Sequence, residues 1–398
     1  MLSLSMIVRN EEERLKICLE SVRNFVDEIS ILDTGSTDRT INIAKENGAK
    51  VEALEWPGDF APARNKALTF VKGDWVLVLD ADEQLLPGCI DKLRSYMLME
   101  DVLLINLLRC EKGSKMNPYS SVSRLFRRHP DIYWSRPYHS IVDDSVQEIL
   151  KREPHWRIVN CNIPAINHDG YSPEIIDNSD KAKRLRRDMI NWLNKHPGDT
   201  YACAKLGALE VAEGRIEKGI SILQEGLANL DSNHFNRLDC FELLFNLAIA
   251  VSKSSPIKAI EIYKEALSLE IDDRLSIAAY INLTLLLINL QQYQEATNWA
   301  SQLNKNNPEM SISWHNLALA QKHNGQWLDS HDSYQMAIKL DPHSVDSFQN
   351  LAVLQLLLGR VQLARDNFLI SISLLEKQNR LDEANTLRKQ ILGIVKLD

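Results

Sequence analysis

Asp80 and Asp82, separated by one alanine, close the run Gly73-Asp74-Trp75-Val76-Leu77-Val78-Leu79, and Glu83 follows them. Two carboxylates two residues apart on an extended backbone point the same way and can converge on one cation. Hard oxygen donors suit Mn2+ or Mg2+, ions that usually also hold substrate phosphates. Trp75 to Leu79 is apolar without alternation, the pattern of a short strand buried on both faces. The carboxyl end of such a strand is where open α/β sheets bind ligands.

Two further stretches repeat this arrangement. Arg9-Asn10-Glu11 follows the apolar run Leu2 to Val8, and Asp33-Thr34-Gly35-Ser36 follows a strand expected over Asp27 to Leu32. Between them, Leu15, Cys18, Leu19 and Val22 share one face of a helix. Thr37 or Asp38 can cap a helix over Ile41 to Asn47, which Gly48 closes, and Lys50 to Leu54 reads as a strand. Ala61 to Val71 is a further helix before the strand that ends at Asp80. The β-α-β-α-β-α-β order predicts a mostly parallel sheet with helices on both faces. Its strand ends share one edge, where acids can bind ribose hydroxyls and a base edge while a metal carries a diphosphate. The chain has no Gly-x-x-x-x-Gly-Lys and no Gly-x-Gly-x-x-Gly, so neither of the glycine-rich phosphate loops is encoded. Acids and a metal without a glycine-rich loop fit a sugar nucleotide better than ATP or NAD.

Ser5-Met6-Ile7-Val8-Arg9-Asn10-Glu11-Glu12, Asp33-Thr34-Gly35-Ser36-Thr37-Asp38-Arg39-Thr40, Asp59-Phe60-Ala61-Pro62-Ala63-Arg64-Asn65 and Asp80-Ala81-Asp82-Glu83 resemble, in that order, the family 2 glycosyltransferases. The resemblance implies an α/β GT-A (Rossmann-like) nucleotide-sugar domain over residues 1–172. It implies that Val8, Arg9, Asn10, Asp33, Asp59, Arg64, Asn65 and Asp80 line a nucleotide sugar, with Asp33 on the nucleoside and Arg64 and Asn65 beside the base or diphosphate. It also implies that Asp80 and Asp82 hold ribose and a divalent ion, Mn2+ or Mg2+, and that His168 reaches back to the metal. Read from the residues alone, Arg64 could instead pair with Asp59 on a surface, Asn65 could cap a helix, and His168 could be structural. Arg124 to Arg128 and Ile132 to Trp134 read as strands flanking a loop, and Trp134 and Tyr138 resemble the acceptor side. Many relatives carry a glutamate where this chain has Ser140. An inverting transferase needs a base at the acceptor, and Asp143, Asp144 and His139 are the candidates.

The second half is periodic. Asn-Leu-Ala at 246–248, 316–318 and 350–352, with Asn-Leu-Thr at 282–284, recurs at spacings of 36, 34 and 34 residues. A period of 34 is the tetratricopeptide (TPR) signature. Trp314, Leu317, Ala318, Gly325, Tyr334, Ala337 and Pro342 fit that repeat, and Leu206, Gly207, Gly214 and Gly219 look like a degenerate first copy. The expected layout is a helical linker over 173–198, an all-α TPR solenoid of about five repeats over 199–380, and a capping helix over 381–398. The basic run Lys181, Lys183, Arg184, Arg186 and Arg187 reads as a solvated helix face.

Composition narrows the class. A formal net charge of -8 excludes a nucleic-acid partner bound by phosphate neutralisation. Six scattered cysteines without Cys-x-x-Cys read as buried thiols in a reducing compartment. No apolar window is long enough to span a bilayer, so a cytoplasmic protein is expected. The sequence thus predicts a metal-dependent, inverting glycosyltransferase with a UDP-linked donor. Its TPR array would recruit a protein, peptide or glycan acceptor, or join two copies as a homodimer. The competing reading is a non-catalytic TPR scaffold that binds a nucleotide sugar without turning it over.

Overall fold

The computed structural model describes residues 1–114, 118–136, 140–169, 178–230 and 237–392, in two compact units, 1–232 and 233–398. The first unit opens with β1 (Leu2–Val8), α1 (Leu15–Val22), β2 (Glu28–Asp33), α2 (Thr40–Glu46), β3 (Lys50–Ala53), α3 (Phe60–Leu68) and β4 (Trp75–Val78). It continues through β5 (Glu83–Leu85), α4 (Ile90–Met97), β6 (Val102–Glu111), β7 (Tyr119–Arg127), α5 (Asp143–Arg152) and β8 (Arg157–His168). Three helices follow, α6 (Asn178–Leu193), α7 (Thr200–Ala212) and α8 (Ile216–Ala228).

The eight strands form one sheet in the order β3-β2-β1-β4-β7-β6-β8-β5. The first four are parallel, as the alternating pattern requires, with Val8 level with Asp33. Beyond β4 the sheet turns mixed, because β7 runs antiparallel to both β4 and β6, and β5 antiparallel to β8. Each apolar residue of β4 serves one of two cores. Trp75, Leu77 and Leu79 pack with Leu15, Cys18, Leu19 and Val22 of α1, whereas Val76 and Val78 pack with Phe126, Trp134 and the Val146 and Ile149 face of α5. Burying side chains of this size contributes about 1.5–3 kcal/mol each, which fixes β4 at the sheet centre. Two expectations need correction. Ile132 to Trp134 is not a strand, since only a single Ser135–Ile141 bridge forms there. α5 and β5 went unpredicted, because both begin within runs of acids read as site residues alone.

Helices pair through the rest of the chain. In the first unit α7 and α8 approach closely, since a Cβ on Gly207 would lie 2.5 Å from Leu223, and one on Gly219 2.6 Å from Val211. The second unit holds α9 (Arg237–Val251), α10 (Pro256–Leu267), α11 (Ile277–Asn289), α12 (Tyr293–Asn306), α13 (Ser311–His323), α14 (Trp327–Leu340), α15 (Val345–Leu357), α16 (Val361–Lys377) and α17 (Leu381–Ile391). Ala259, Ala296 and Ala364 are fully buried where paired helices meet. The turn inside a pair uses a left-handed residue at 291, 325 and 359, with φ of 60°, 76° and 72°. Two of these are glycines, and Gln291 accepts the strained conformation at a cost of about 1–2 kcal/mol. All six cysteines are free thiols and five are buried. Among the described residues no helix is long and apolar enough to cross a membrane.

Gly73 sets the spacing between β1 and β4, because a Cβ there would meet Ser3 N at 2.7 Å and Met1 O at 2.8 Å. Both are backbone atoms, so they cannot rotate away. Gly73→Ala is expected to destabilise the first unit by about 1–3 kcal/mol. Urea unfolding measures it, and parent stability in the variant would contradict this packing.

Candidate active site at the strand ends

The rim of the site is built by β1 and β2 together. The Val8 carbonyl accepts from both the N–H of Thr34, at 2.9 Å, and its Oγ1, at 3.0 Å. Exposed Asn10, with φ of 55°, donates its N–H to Ser36 Oγ at 3.0 Å and accepts from the Thr37 N–H at 2.8 Å. Exposed Arg9 stands beside it. Asp38, expected as a cap, precedes the N-cap residue Arg39 of α2, and its Oδ1 accepts from the Thr40 N–H at 3.0 Å. Asp33 lies beneath this rim. Its Oδ1 accepts from the N–H groups of Gly35, at 3.0 Å, and Ser36, at 2.9 Å, a turn that Gly35 permits with φ of 102°. Its Oδ2 is buried and has no hydrogen-bond partner among the described residues. A buried acceptor left unpaired costs about 1–3 kcal/mol, so this oxygen is an opening for a ligand donor.

β4 delivers Asp80. Its Oδ1 accepts from Arg64 Nη2 at 2.7 Å and its Oδ2 from Arg124 Nη2 at 2.8 Å. Both guanidiniums lie over the Trp134 ring, 4.8 and 5.6 Å from its centroid, and Trp134 packs edge-on against Phe126 at 6.2 Å. Burial pushes the Asp80 pKa up, but Arg124 and Arg64 outweigh it and hold the carboxyl well below its usual range. Arg124 reaches this position through a β-bulge. Ile105 pairs with Leu125 and Asn106 with Ser123, so Arg124 has no partner on β6. The extra residue re-aims the side chain. Asp59 accepts from the Ala61 N–H at 2.9 Å and caps α3, and Arg64, buried in that helix, pairs with Asp80 instead. Both ends of the Asn65 amide grip the Trp134 backbone, Nδ2 donating to its carbonyl at 2.9 Å and Oδ1 accepting from its N–H at 2.7 Å. Trp134, expected on the acceptor side, is therefore a buried platform under the arginines.

A second charged chain runs from Asp80 to Asp82. Fully buried Glu83 accepts from the Asp80 N–H at 2.9 Å through Oε2 and from Arg109 Nη1 at 2.8 Å through Oε1. Arg109 Nε donates to Glu111 Oε1 at 2.9 Å. Glu111 Oε2 lies 2.6 Å from His168 Nδ1, and His168 Nε2 lies 3.5 Å from Asp82 Oδ2. Strand pairing enforces these meetings, since His168 on β8 is level with Glu83 on β5 and with Glu111 on β6. Burial pulls the His168 pKa down, but Asp82 and Glu111 outweigh it and raise it to about 9. Glu111 holds Nδ1, so Nε2 is the atom that faces Asp82. A carboxylate oxygen opposite an imidazole nitrogen backed by a second carboxylate is a donor set that fits a divalent ion. No cluster of three or more metal-ligating side chains is preformed among the described residues. Arg109 and Glu111 stand directly after the largely apolar run Val102 to Leu108, and the break in that run is their only signal in the sequence.

Asp143 and Asp144 open α5. Asp144 accepts from Arg136, with Nη2 at 3.0 Å from Oδ1 and Nε at 3.2 Å from Oδ2, and from the Ser135 hydroxyl. Asp143 makes a 2.8 Å bond with Ser123 Oγ, on the strand that carries Arg124. Burial and then Asp144 push its pKa up, against the lowering effects of Ser123 and Arg136. Tyr138 and His139 lie outside the described residues.

The family model for Glycosyl transferase family 2 matches residues 3–159. A TPR repeat-containing protein of Synechococcus elongatus is 38% identical over 394 residues, covering 98% of this chain and 97% of its own. An uncharacterized glycosyltransferase of Rickettsia typhi is 32% identical over 223 residues, 49% of this chain and 75% of its own. Among solved structures, MamA 41-end from Desulfovibrio magneticus RS-1 is similar with a TM-score of 0.36 and 19% identity, over 50% of this chain and 98% of its own.

Removing Glu83 takes one of the two carboxylates from Arg109 and leaves the Asp80 N–H without its acceptor. Glu83→Ala is expected to cost about 3–5 kcal/mol, and Glu83→Gln, which keeps an acceptor in place, distinctly less. Chemical denaturation of both variants measures the difference, and equal stabilities would contradict a buried charge chain.

Proposed function

This chain belongs to the family 2 glycosyl transferases and carries tetratricopeptide repeats, and on that premise we propose that it moves a sugar from a UDP-linked donor, with inversion, to an acceptor presented by the repeats. The observation that carries the donor half is Asp33 Oδ2, a buried oxygen at the end of β2 without a partner among the described residues. An imide N–H of a nucleobase is a fitting donor to it. β2 and β4 flank β1, so Asp33 and the acids after β4 are roughly 10 Å apart across two strand spacings. That span suits a nucleoside at one end and a diphosphate at the other.

Asp82 and His168 are the residues that would hold a divalent ion, with Glu111 fixing the imidazole from behind. Asp80 has a guanidinium on each oxygen, so its part is to fix the strand end. When bound, the ion supplies positive charge to the departing diphosphate. The acceptor X–H attacks the anomeric carbon as the bond to the phosphate oxygen breaks. The electron pair leaves with UDP, and the acceptor proton passes to a base on the opposite side of the sugar. Asp143 fits that base better than Asp144, whose oxygens Arg136 already engages. The raised pKa of Asp143 makes it a stronger base than an ordinary aspartate.

A panel of UDP- and GDP-sugars, scored for nucleotide diphosphate release with and without added peptide or glycan, tests the proposal. UDP-sugar turnover that stops with chelator, returns with Mn2+ or Mg2+, and is lost in Asp82→Asn with its fold intact is the expected result. Full activity in excess chelator would remove the ion from the reading. Donor binding without release from any sugar would favour the scaffold.

The base makes a separate prediction for pH. Asp143 works only as carboxylate, and its folded pKa is raised, so activity should fall as pH drops through a value above the usual ~3.9. Asp143→Asn should lower kcat at least about a hundredfold and erase that acid limb. An unchanged limb in the variant would return the base to another group.

A further inference from the structure

Arg136 meets both α5 and the first helical repeat within the first unit, and its backbone is strained. Its φ is 72°, a region a side-chain-bearing residue enters at about 1–2 kcal/mol. The side chain is buried, and Nη2 lies 3.0 Å from Asp144 Oδ1 and 3.1 Å from Asp199 Oδ2. Its guanidinium carbon lies 4.6 Å from the centroid of the Tyr201 ring. Asp199 caps α7, with Oδ1 accepting from the Ala202 N–H at 2.8 Å, while its Oδ2 also accepts from Trp192 Nε1 of α6 at 3.2 Å. One cation therefore ties the start of α5 to the start of α7.

The tie lies between two working parts. Two residues before Arg136, Trp134 carries the arginines that grip Asp80. Next to its partner Asp144 stands Asp143, the candidate base. On the donor side, Phe60 at the start of α3 packs into the cluster of Met189, Ala202 and Leu206, from α6 and α7. A helix pair that merely followed the sheet domain would not need a strained, buried arginine facing two carboxylates.

Resting on the transferase reading above, we propose that Arg136 is a positioning residue, through which the first tetratricopeptide helix, by Asp199 and Tyr201, holds α5 and its base in line with the donor crevice. The repeat is then part of the catalytic unit as well as a place for the acceptor. A chain cut near Lys195 would lose Asp199 and leave Arg136 with half its counter-charge.

Asp199→Asn in the full chain isolates the effect, because asparagine still caps a helix but brings no charge to Arg136. The readouts are UDP release from whichever UDP-sugar the parent hydrolyses, with water as acceptor, UDP affinity by calorimetry, and urea unfolding. The expected result is a kcat lower by about ten- to a hundredfold, with UDP affinity and donor KM within about twofold of the parent. Arg136→Met should lower kcat at least as far, and the double variant no further than Arg136→Met alone, since residues acting as one unit are not additive. A parent kcat in Asp199→Asn overturns the proposal, as do additive losses or a kcat that falls only with the folded fraction. If Arg136→Met does not fold, Asp199→Asn and Arg136→Lys, which should restore part of the rate, decide it. A parent protein that binds UDP and releases it from no UDP-sugar, with or without added peptide or glycan, overturns the transferase reading itself, an outcome separate from an active parent with an unaffected Asp199→Asn.

Discussion

The first unit depends on how a carboxylate can be kept charged at the end of a strand buried on both faces. Asp80 is gripped on both oxygens by Arg64 and Arg124, and both guanidiniums rest on Trp134. Withdrawing these ions from water costs several kcal/mol each, which their attraction offsets only when every charge has a close partner. Glu83, which accepts from the Asp80 N–H, starts a chain that continues the same rule, alternating in sign through Arg109, Glu111 and His168 to Asp82. Four strands and one helix contribute to it, so the crevice cannot be rearranged one side chain at a time. A rigid frame of this kind suits a reaction in which fixed charges meet charge that develops on a leaving group.

The parts legible in the sequence are those set by local pattern. Leu2–Val8 is the predicted strand, and Leu15, Cys18, Leu19 and Val22 are the buried face of α1 as their spacing required. The 34-residue period gave the helix pairs, and Gly325, which fits the repeat, takes the left-handed turn inside one of them. What escaped depends on partners far away in the chain. The bulge that aims Arg124 exists only in the pairing of β6 with β7, and β5 is a strand only because β8 lies beside it. Asp143 and Asp144 were singled out as acids, but their separation into a Ser123-bonded and an Arg136-bonded carboxylate follows from tertiary contacts. Gln291 shows the same limit within the repeats, since the fold imposes its turn against its own preference.

The division of the chain differs from a simple sum of a transferase and a repeat array. The first compact unit extends to residue 232 and includes α7 and α8 with the sheet. Phe60 and Arg136 both meet α6 or α7. Glycines at 207 and 219 close the first repeat's own helix pair tightly. The later helix pairs that start at Ile277, Ser311 and Val345 keep the 34-residue period.

The central claim is that the strand ends form one nucleotide-sugar site, with the nucleoside at Asp33 and the ion at Asp82 and His168. A crystal structure with UDP and Mn2+ tests it most directly. The expected result is anomalous density for the ion within bonding distance of Asp82 and His168 Nε2, with a uracil N–H on Asp33 Oδ2 and Arg64 and Arg124 still on Asp80. An ion bound away from both side chains, or a nucleotide seated elsewhere with Asp33 Oδ2 still unpartnered, would contradict it.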